Sequence, residues 1–161
     1  MPVGKTRNMT RSRTPAVLKF DEPAGVHWYV ALLGIQALHS EALASRLEKG
    51  FRFSYLQYFA VQMALSLGMV CLWVGLSSRT LERRRKEGWL NPAESDRLLT
   101  TTRIAGLALR LFEGDRDAAK RWLTSSQPTL GGSTPIEYSR TEFGAREVEH
   151  LIGRLEHGVI S

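Results

Sequence analysis

The sequence predicts an all-α protein in which a helix-turn-helix unit is joined by one long helix to a smaller helical unit. Three observations carry this reading. Apolar residues recur at helical spacing through most of the chain. A cap, proline and glutamate pattern occurs twice, as Asn91-Pro92-Ala93-Glu94 and Thr134-Pro135-Ile136-Glu137, and each marks a helix start. Between residues 67 and 90 a small residue, a glycine four positions on and an apolar residue six beyond that (Cys71, Gly75, Leu81) stand where two helices meeting at a tight turn need them.

In chain order, residues 1–14, most of a basic arm at 1–20, carry Lys5, Arg7, Arg11 and Arg13 with no acidic residue and little to bury. They read as a solvated, disordered arm, or as one that touches phosphates. A transit peptide is also basic and rich in Ser and Thr, but nothing else in the chain supports an organelle, and the expectation is a cytoplasmic protein. Residues 26–38 and 40–49 place Val30, Leu33, Ala37, Leu43 and Leu47 at spacings of one or two amphipathic helices, with Gly50 as a stop. A two-stranded alternative stays open for residues 26–33.

Residues 56–76 form a run of 21 uncharged residues between Arg52 and Arg79, long enough to cross a bilayer. Gln57, Gln62, Ser66 and Gly68 interrupt it, and the helix-turn-helix register accounts for its apolarity without a membrane. Ser77 or Ser78 can cap the second helix of that register, whose body from Arg79 to Glu87 holds Arg79, Arg83, Arg84, Arg85 and Lys86. This is a dense electrostatic footprint for phosphates and base edges. Asn91 then starts a long helix toward Phe112 with Leu98, Ala105, Leu109 and Phe112 in one stripe and Ile104 and Leu107 beside it. No Gly/Ser-rich linker separates the halves.

The last stretch reads as three short helices. Asp115 caps one carrying Ala118, Ala119, Trp122 and Leu123, the Gly131-Gly132 turn leads into the Thr134 capping box, and a final helix from Thr141 aligns Phe143, Val148, Leu151, Ile152 and Leu155 before Gly158.

Composition bounds the chemistry. At 161 residues the chain holds one ordinary domain, or two small ones sharing a core. A formal charge of +6 and a pI near 9.9 point to an anionic partner. The single cysteine, Cys71, excludes an intrachain disulfide framework. His27, His39, His150 and His157 supply no ligand cluster, so no metal is expected. No nucleophile–base pair or phosphate-cradling loop stands out, and Glu142, Glu147, Glu149 and Glu156 are interleaved with Arg146 and Arg154 as surface pairs are. The expectation is a protein that is not an enzyme and uses no cofactor.

Phe112-x-Gly114-Asp115, Ala119-x-x-Trp122-Leu123, Leu130-Gly131-Gly132-x-Thr134-Pro135, Thr141-x-x-Gly144-Ala145-x-x-Val148 and His157-Gly158 together resemble the toxin-binding domain of the ParS/MbcA/Xre antitoxins, the partners of RES-domain toxins. Leu76-Ser77-x-Arg79-Thr80-Leu81-x-Arg83-Arg84-x-x-Gly88-x-Leu90 resembles the second helix of the Xre-like helix-turn-helix of the same antitoxins. The resemblance implies three parts: a basic arm (1–20), a helical extension with a DNA-binding domain (21–110) and a toxin-binding domain (111–161). It implies an antitoxin of a type II module that blocks the NAD-binding cleft of an RES toxin of ADP-ribosyltransferase-like fold and represses its own operon. Ser78, Arg79, Arg83 and Lys86 are the residues expected on operator DNA, and Arg146, His150, Arg154, Glu156, His157 and Ser161 those expected on the toxin. A homodimer, assembling with toxin into a hetero-oligomer, follows from the need to read two half-sites. Two features depart from the pattern. Met69, Val70 and Trp73 are apolar where the first helix of the motif shows polar residues, so another element, a second subunit or the toxin should cover them; and Arg84 stands at a position that is apolar in many DNA-binding motifs. The alternatives are a transcription regulator whose C-terminal half only dimerises, and a small membrane protein.

Overall fold

The computed structural model describes residues 27–36 and 39–158. The basic arm, Ala37, Leu38 and Ser161 lie outside the described residues.

The fold is all-α, with a single isolated antiparallel bridge among the described residues, and its axis is α5 (Pro92–Leu111). Asn91 accepts a hydrogen bond from the Glu94 amide (2.8 Å), and the Glu94 carboxylate accepts one from the Asn91 amide (2.9 Å). Pro92 gives up an amide that has no partner in a first turn anyway. The helix buries Leu98, Ile104, Ala105, Ala108 and Leu109, and it packs against the 3-10 turn Trp28–Leu33, α1 (Ser40–Lys49), α3 (Leu67–Val74), α6 (Arg116–Leu123) and α8 (Glu142–Glu156). Gly106 is where the 3-10 turn seats, because a Cβ there would lie 3.0 Å from Tyr29 Cβ and 3.1 Å from the Trp28 ring.

The 21-residue uncharged run does not form one span. It divides into α2 (Phe53–Gln62) and α3, bent by 107° across the turn at Ala64. No single helix among the described residues is long and apolar enough to cross a membrane. Leu56, Phe59, Met63 and Val70 instead enter the common core, so their apolarity is explained by burial within the chain.

After α3, Gly75 adopts a left-handed conformation (φ 73°), and a three-residue turn leads to α4 (Ser78–Glu87). Cys71 and Leu81 are buried on either side of that turn. Ser77, rather than Ser78, caps α4 by accepting from the Thr80 amide at 3.1 Å. The links before and after this unit are stitched together: the Leu90 amide donates to the Phe51 carbonyl (2.8 Å) and the Phe53 amide to the Gly88 carbonyl (2.9 Å).

The C-terminal helices follow their caps. Asp115 caps α6, Thr134 and Glu137 form a capping box on α7 (Pro135–Tyr138), and Thr141 caps α8. Two ion pairs hold α8 along α5, Arg103 to Glu149 (2.7 Å) and Arg110 to Glu156 (2.8 Å). The partners advance together, from 103 to 110 and from 149 to 156, so the two helices run side by side in the same sense, with the pairs two turns apart. Arg103 Nε approaches Glu149 off its N–H axis, so that pair is Coulombic more than a directed hydrogen bond. Beside it, burial pushes the Tyr29 phenol up from its ordinary value.

Four expectations need correction. Residues 28–33 form a 3-10 turn ended by Gly34 at φ 73°, so no helix runs through to residue 38 and no strand forms at 27–33. Phe143 is 68% exposed and leaves the stripe. The face of α8 that packs inward is Ala145, Val148, Leu151 and Ile152, and Phe143 sits roughly 140° around the helix from Val148. Leu155 shares the face of the stripe but remains partly exposed in the last turn. Val70 and Trp73 are covered by other elements of the chain, as expected, but Met69 is not: it and Leu72 are the α3 residues that stay outside.

Candidate functional site

Two surfaces carry the residues singled out from the sequence. On α4, Arg79, Arg83 and Lys86 are exposed, and their spacing of four and three residues puts them on one face. Ion pairing sorts the five cations of this helix. Arg84 turns inward, with Nε 2.8 Å and Nη2 3.0 Å from the Glu94 carboxylate and Nη1 2.6 Å from Glu87. The hydrogen bond to Glu94, then that to Glu87, raises its pKa further above the ordinary guanidinium range. Arg85 meets Glu82 at 3.6 Å. Arg79, Arg83 and Lys86 enter no ion pair among the described residues, so the charge of the helix is uncompensated on that face alone. Arg84 is therefore a structural residue where an apolar one would serve in other motifs, its charge matched by a carboxylate that also closes the α5 capping box. Ser78 is exposed in the first turn of the same helix.

The second surface is on α8. His150, Arg154 and His157 line a shallow, open groove of about 400 Å³ with Glu149, and Gly153 lies among them. A Cβ on Gly153 would meet nothing within 4 Å. A helical glycine costs about 0.5–1 kcal/mol relative to alanine, and no contact within the fold accounts for one here. Arg146 is one exposed partner of a local pair with Glu142 (3.1 Å), set apart from the groove lining. His150 Nδ1 stands 3.6 Å from Glu147. Glu156 is already held by Arg110, with oxygens 2.8 and 3.1 Å from its guanidinium, so it orders the end of α8 from within the chain. Of the six tail residues, the structure brings three into one groove, leaves Arg146 beside its pair, ties Glu156 inward and does not describe Ser161.

Residues 107–158 match the family model for the antitoxin Xre/MbcA/ParS C-terminal toxin-binding domain. An antitoxin Xre of Yersinia enterocolitica serotype O:8 / biotype 1B is 34% identical over 130 residues, which cover 80% of this chain and 88% of that relative. The chain belongs to the Xre/MbcA/ParS antitoxin family. An antitoxin Xre of Photorhabdus laumondii is 39% identical over 88 residues (54% of this chain, 60% of the relative), and one of Pseudomonas putida is 33% identical over 81 residues (50% of each). The α8 groove of this antitoxin thus falls inside the toxin-binding segment. That segment begins within α5, at residue 107, four residues before the sequence-based boundary at 111.

Sequence reasoning passed over two sets of residues. Leu72, 60% exposed, lies outward on α3 beside Met69, which the sequence does single out, and Phe143 is outward on α8 although its spacing places it in the stripe; helical periodicity cannot tell an apolar residue turned to solvent from one turned inward. Arg46, Lys49, Arg52 and Trp89 line a second groove, where the 50–53 and 88–90 links meet. No motif connects those links in sequence.

Proposed function

We propose that this antitoxin neutralises an RES-type, ADP-ribosyltransferase-like toxin by seating α8 and the residues after it against the toxin's NAD-binding cleft, and that a dimer of it represses its own operon through α4. One observation carries the first part: the segment matched as toxin-binding presents a groove with an open glycine floor, rimmed by His150, Arg154 and His157. Inhibition of this kind is occlusion. An apolar centre excludes water, a charged rim fixes register, and no bond is made or broken. Arg146, Glu156 and Ser161 complete the proposed toxin-facing set; Glu156 acts by holding the last turn of α8 in place. The DNA part places Ser78, Arg79, Arg83 and Lys86 on the operator, with two copies of α4 reading half-sites about one helical turn apart. The two roles divide the chain near the end of α5.

Deleting residues 141–161 would strip Ala145, Val148, Leu151 and Ile152 from the core, so it cannot separate binding from folding. Gly153→Leu separates them. The Cβ of the new side chain meets open space within the fold, and leucine favours the helix by about 0.8 kcal/mol, so the thermal midpoint should hold or rise. Meanwhile the filled groove should weaken toxin binding by roughly 30-fold or more, the scale of a hot-spot substitution. Growth of cells expressing the adjacent toxin gene, together with a titration of purified toxin, measures this. Full rescue and unchanged affinity would remove the groove from the interface.

For the DNA role, Arg79→Ala with Arg83→Ala should lower the slope of log affinity against log salt by about 2, since each phosphate left without its cation takes about 0.9 from that slope. Binding to the DNA upstream of the antitoxin gene, measured across a salt series, reads this. An unaltered slope would leave α4 a solvated helix.

A further inference from the structure

The groove where the 50–53 and 88–90 links meet has about 390 Å³ of open volume. Three cations line it, Arg46, Lys49 and Arg52, and no carboxylate does. None of the three forms an ion pair among the described residues, whereas Arg84, Arg85, Arg103, Arg110, Lys120 and Arg146 each stand against a carboxylate. Two of them are held in place by aromatic rings. Arg46 Nη1 donates to the Tyr55 hydroxyl at 2.9 Å, and the Arg52 guanidinium lies 5.3 Å from the centre of the Trp89 ring. Trp89 remains 48% exposed, although the backbone around it is fixed by the bridge to Arg52 and the hydrogen bonds on both sides. A rigid, exposed indole among uncompensated cations is unfavourable in water and suited to a polyanion with flat rings or sugars.

The groove adjoins the end of α4 through Trp89. Gly88 alone separates Trp89 from the end of that helix, and Lys86 stands one turn before it. Arg79, Arg83 and Lys86 span about 10 Å of α4, and Arg52, Lys49 and Arg46 line the groove that adjoins the link after its C-terminal end. We infer that this groove binds the sugar-phosphate backbone of duplex DNA flanking the segment that α4 contacts, with Lys49 and Arg52 on phosphates and Trp89 against the adjoining sugar or base. The inference rests on the DNA-binding reading of α4 and adds to it a second, sequence-independent contact, which lengthens the footprint and fixes the angle at which α4 enters.

The test uses the full chain and two duplexes, one covering the DNA upstream of the antitoxin gene and one of random sequence. Lys49→Gln with Arg52→Gln should lower the salt slope by about 2 on both duplexes alike, weaken binding at low salt at least fivefold, and shorten the protected region at one end without moving its centre. Trp89 fluorescence, isolated as the signal that disappears in Trp89→Phe, should change when DNA is added. Circular dichroism melting of each variant confirms that the fold is kept. An unaltered slope, with Arg79→Ala/Arg83→Ala still reducing it, would overturn the groove contact and leave the α4 reading standing. No binding of the wild-type chain to either duplex would remove both. A variant that binds DNA normally but loses affinity for the toxin would assign the groove to an acidic protein surface and overturn the inference.

Discussion

Gly50→Ala is expected to destabilise the protein by at least about 3 kcal/mol, the sum of the penalty for a positive-φ, extended backbone that is essentially glycine-only and a forced displacement of neighbouring main chain. Gly50 has φ 84°, and a Cβ on it would overlap the carbonyl oxygen of Leu90. That atom cannot swing aside like a side-chain tip, because the Leu90 amide is bonded to Phe51 and the Phe51 amide to Ser95 Oγ at 2.7 Å. Relief requires the 50–53 link to part from the 88–91 link. At about 2–4 °C per kcal/mol for a chain of this size, the thermal midpoint should fall by roughly 6–12 °C or more. Under the proposed DNA-binding role of α4, DNA affinity should fall with it, since this link positions the C-terminal end of that helix. Gly88→Ala is the contrast: at φ 81°, ψ 2° it lies in the left-handed helical region, milder than the φ 84°, ψ 150° of Gly50, and nothing lies within 4 Å of the added Cβ, so it carries only a left-handed penalty of about 1–2 kcal/mol. Equal losses of stability for the two would show that the Leu90 carbonyl does not matter.

Glu94→Ala should cost about 2–4 kcal/mol, the range for removing one partner of a sheltered pair together with a cap. The Glu94 side chain is 5% exposed and serves two helices at once, accepting from Arg84 at the end of α4 and from the Asn91 amide at the start of α5. Removing it strands the Arg84 guanidinium, 16% exposed, with only Glu87. Arg84→Met is the informative contrast. It leaves the capping box intact, replaces the aliphatic stem and gives an apolar residue where many DNA-binding motifs have one, so its cost should stay near 1 kcal/mol. Because the pKa of Arg84 is raised, its contribution is fully present below the guanidinium range and is lost only as pH rises through it. The ranking should therefore not change as pH is raised from neutral toward the guanidinium range. Denaturant unfolding of the two single variants and the double variant measures the coupling. Glu94→Ala no costlier than Arg84→Met would mean that the pair contributes nothing beyond packing.

Much of the helical layout was legible from the chain because helix starts are encoded locally. Asn91, Asp115 and Thr134 cap the helices they were expected to cap, and Thr141, expected only as the approximate start of the last helix, caps it. A cap acts within three residues, and so does the signal for it. Contrast Phe143, whose spacing fits an apolar stripe within the tolerance of periodicity: only the packing of α8 on α5 fixes the angle at which the stripe is cut. The short helix assigned to residues 26–38 failed for a related reason, since Gly34 ends it early and the 3-10 turn draws its stability from seating at Gly106 of α5.

The candidate sites divide in the same way. The amino-acid sequence by itself determined the all-α class, most of the helix starts and the position of the basic helix, because each is written in residues that lie within a few turns of one another, and it carried the resemblance to a toxin-binding domain that the family match supports. Only the tertiary structure decided which of the five α4 cations stand uncompensated, since Arg84 is neutralised by a carboxylate ten residues away across a turn. It also decided that a glycine floors the α8 groove and that three cations and a tryptophan from two separate links share one hollow. Charge compensation and concavity depend on what folding brings within a few ångströms, and the order of residues along a chain does not fix those distances.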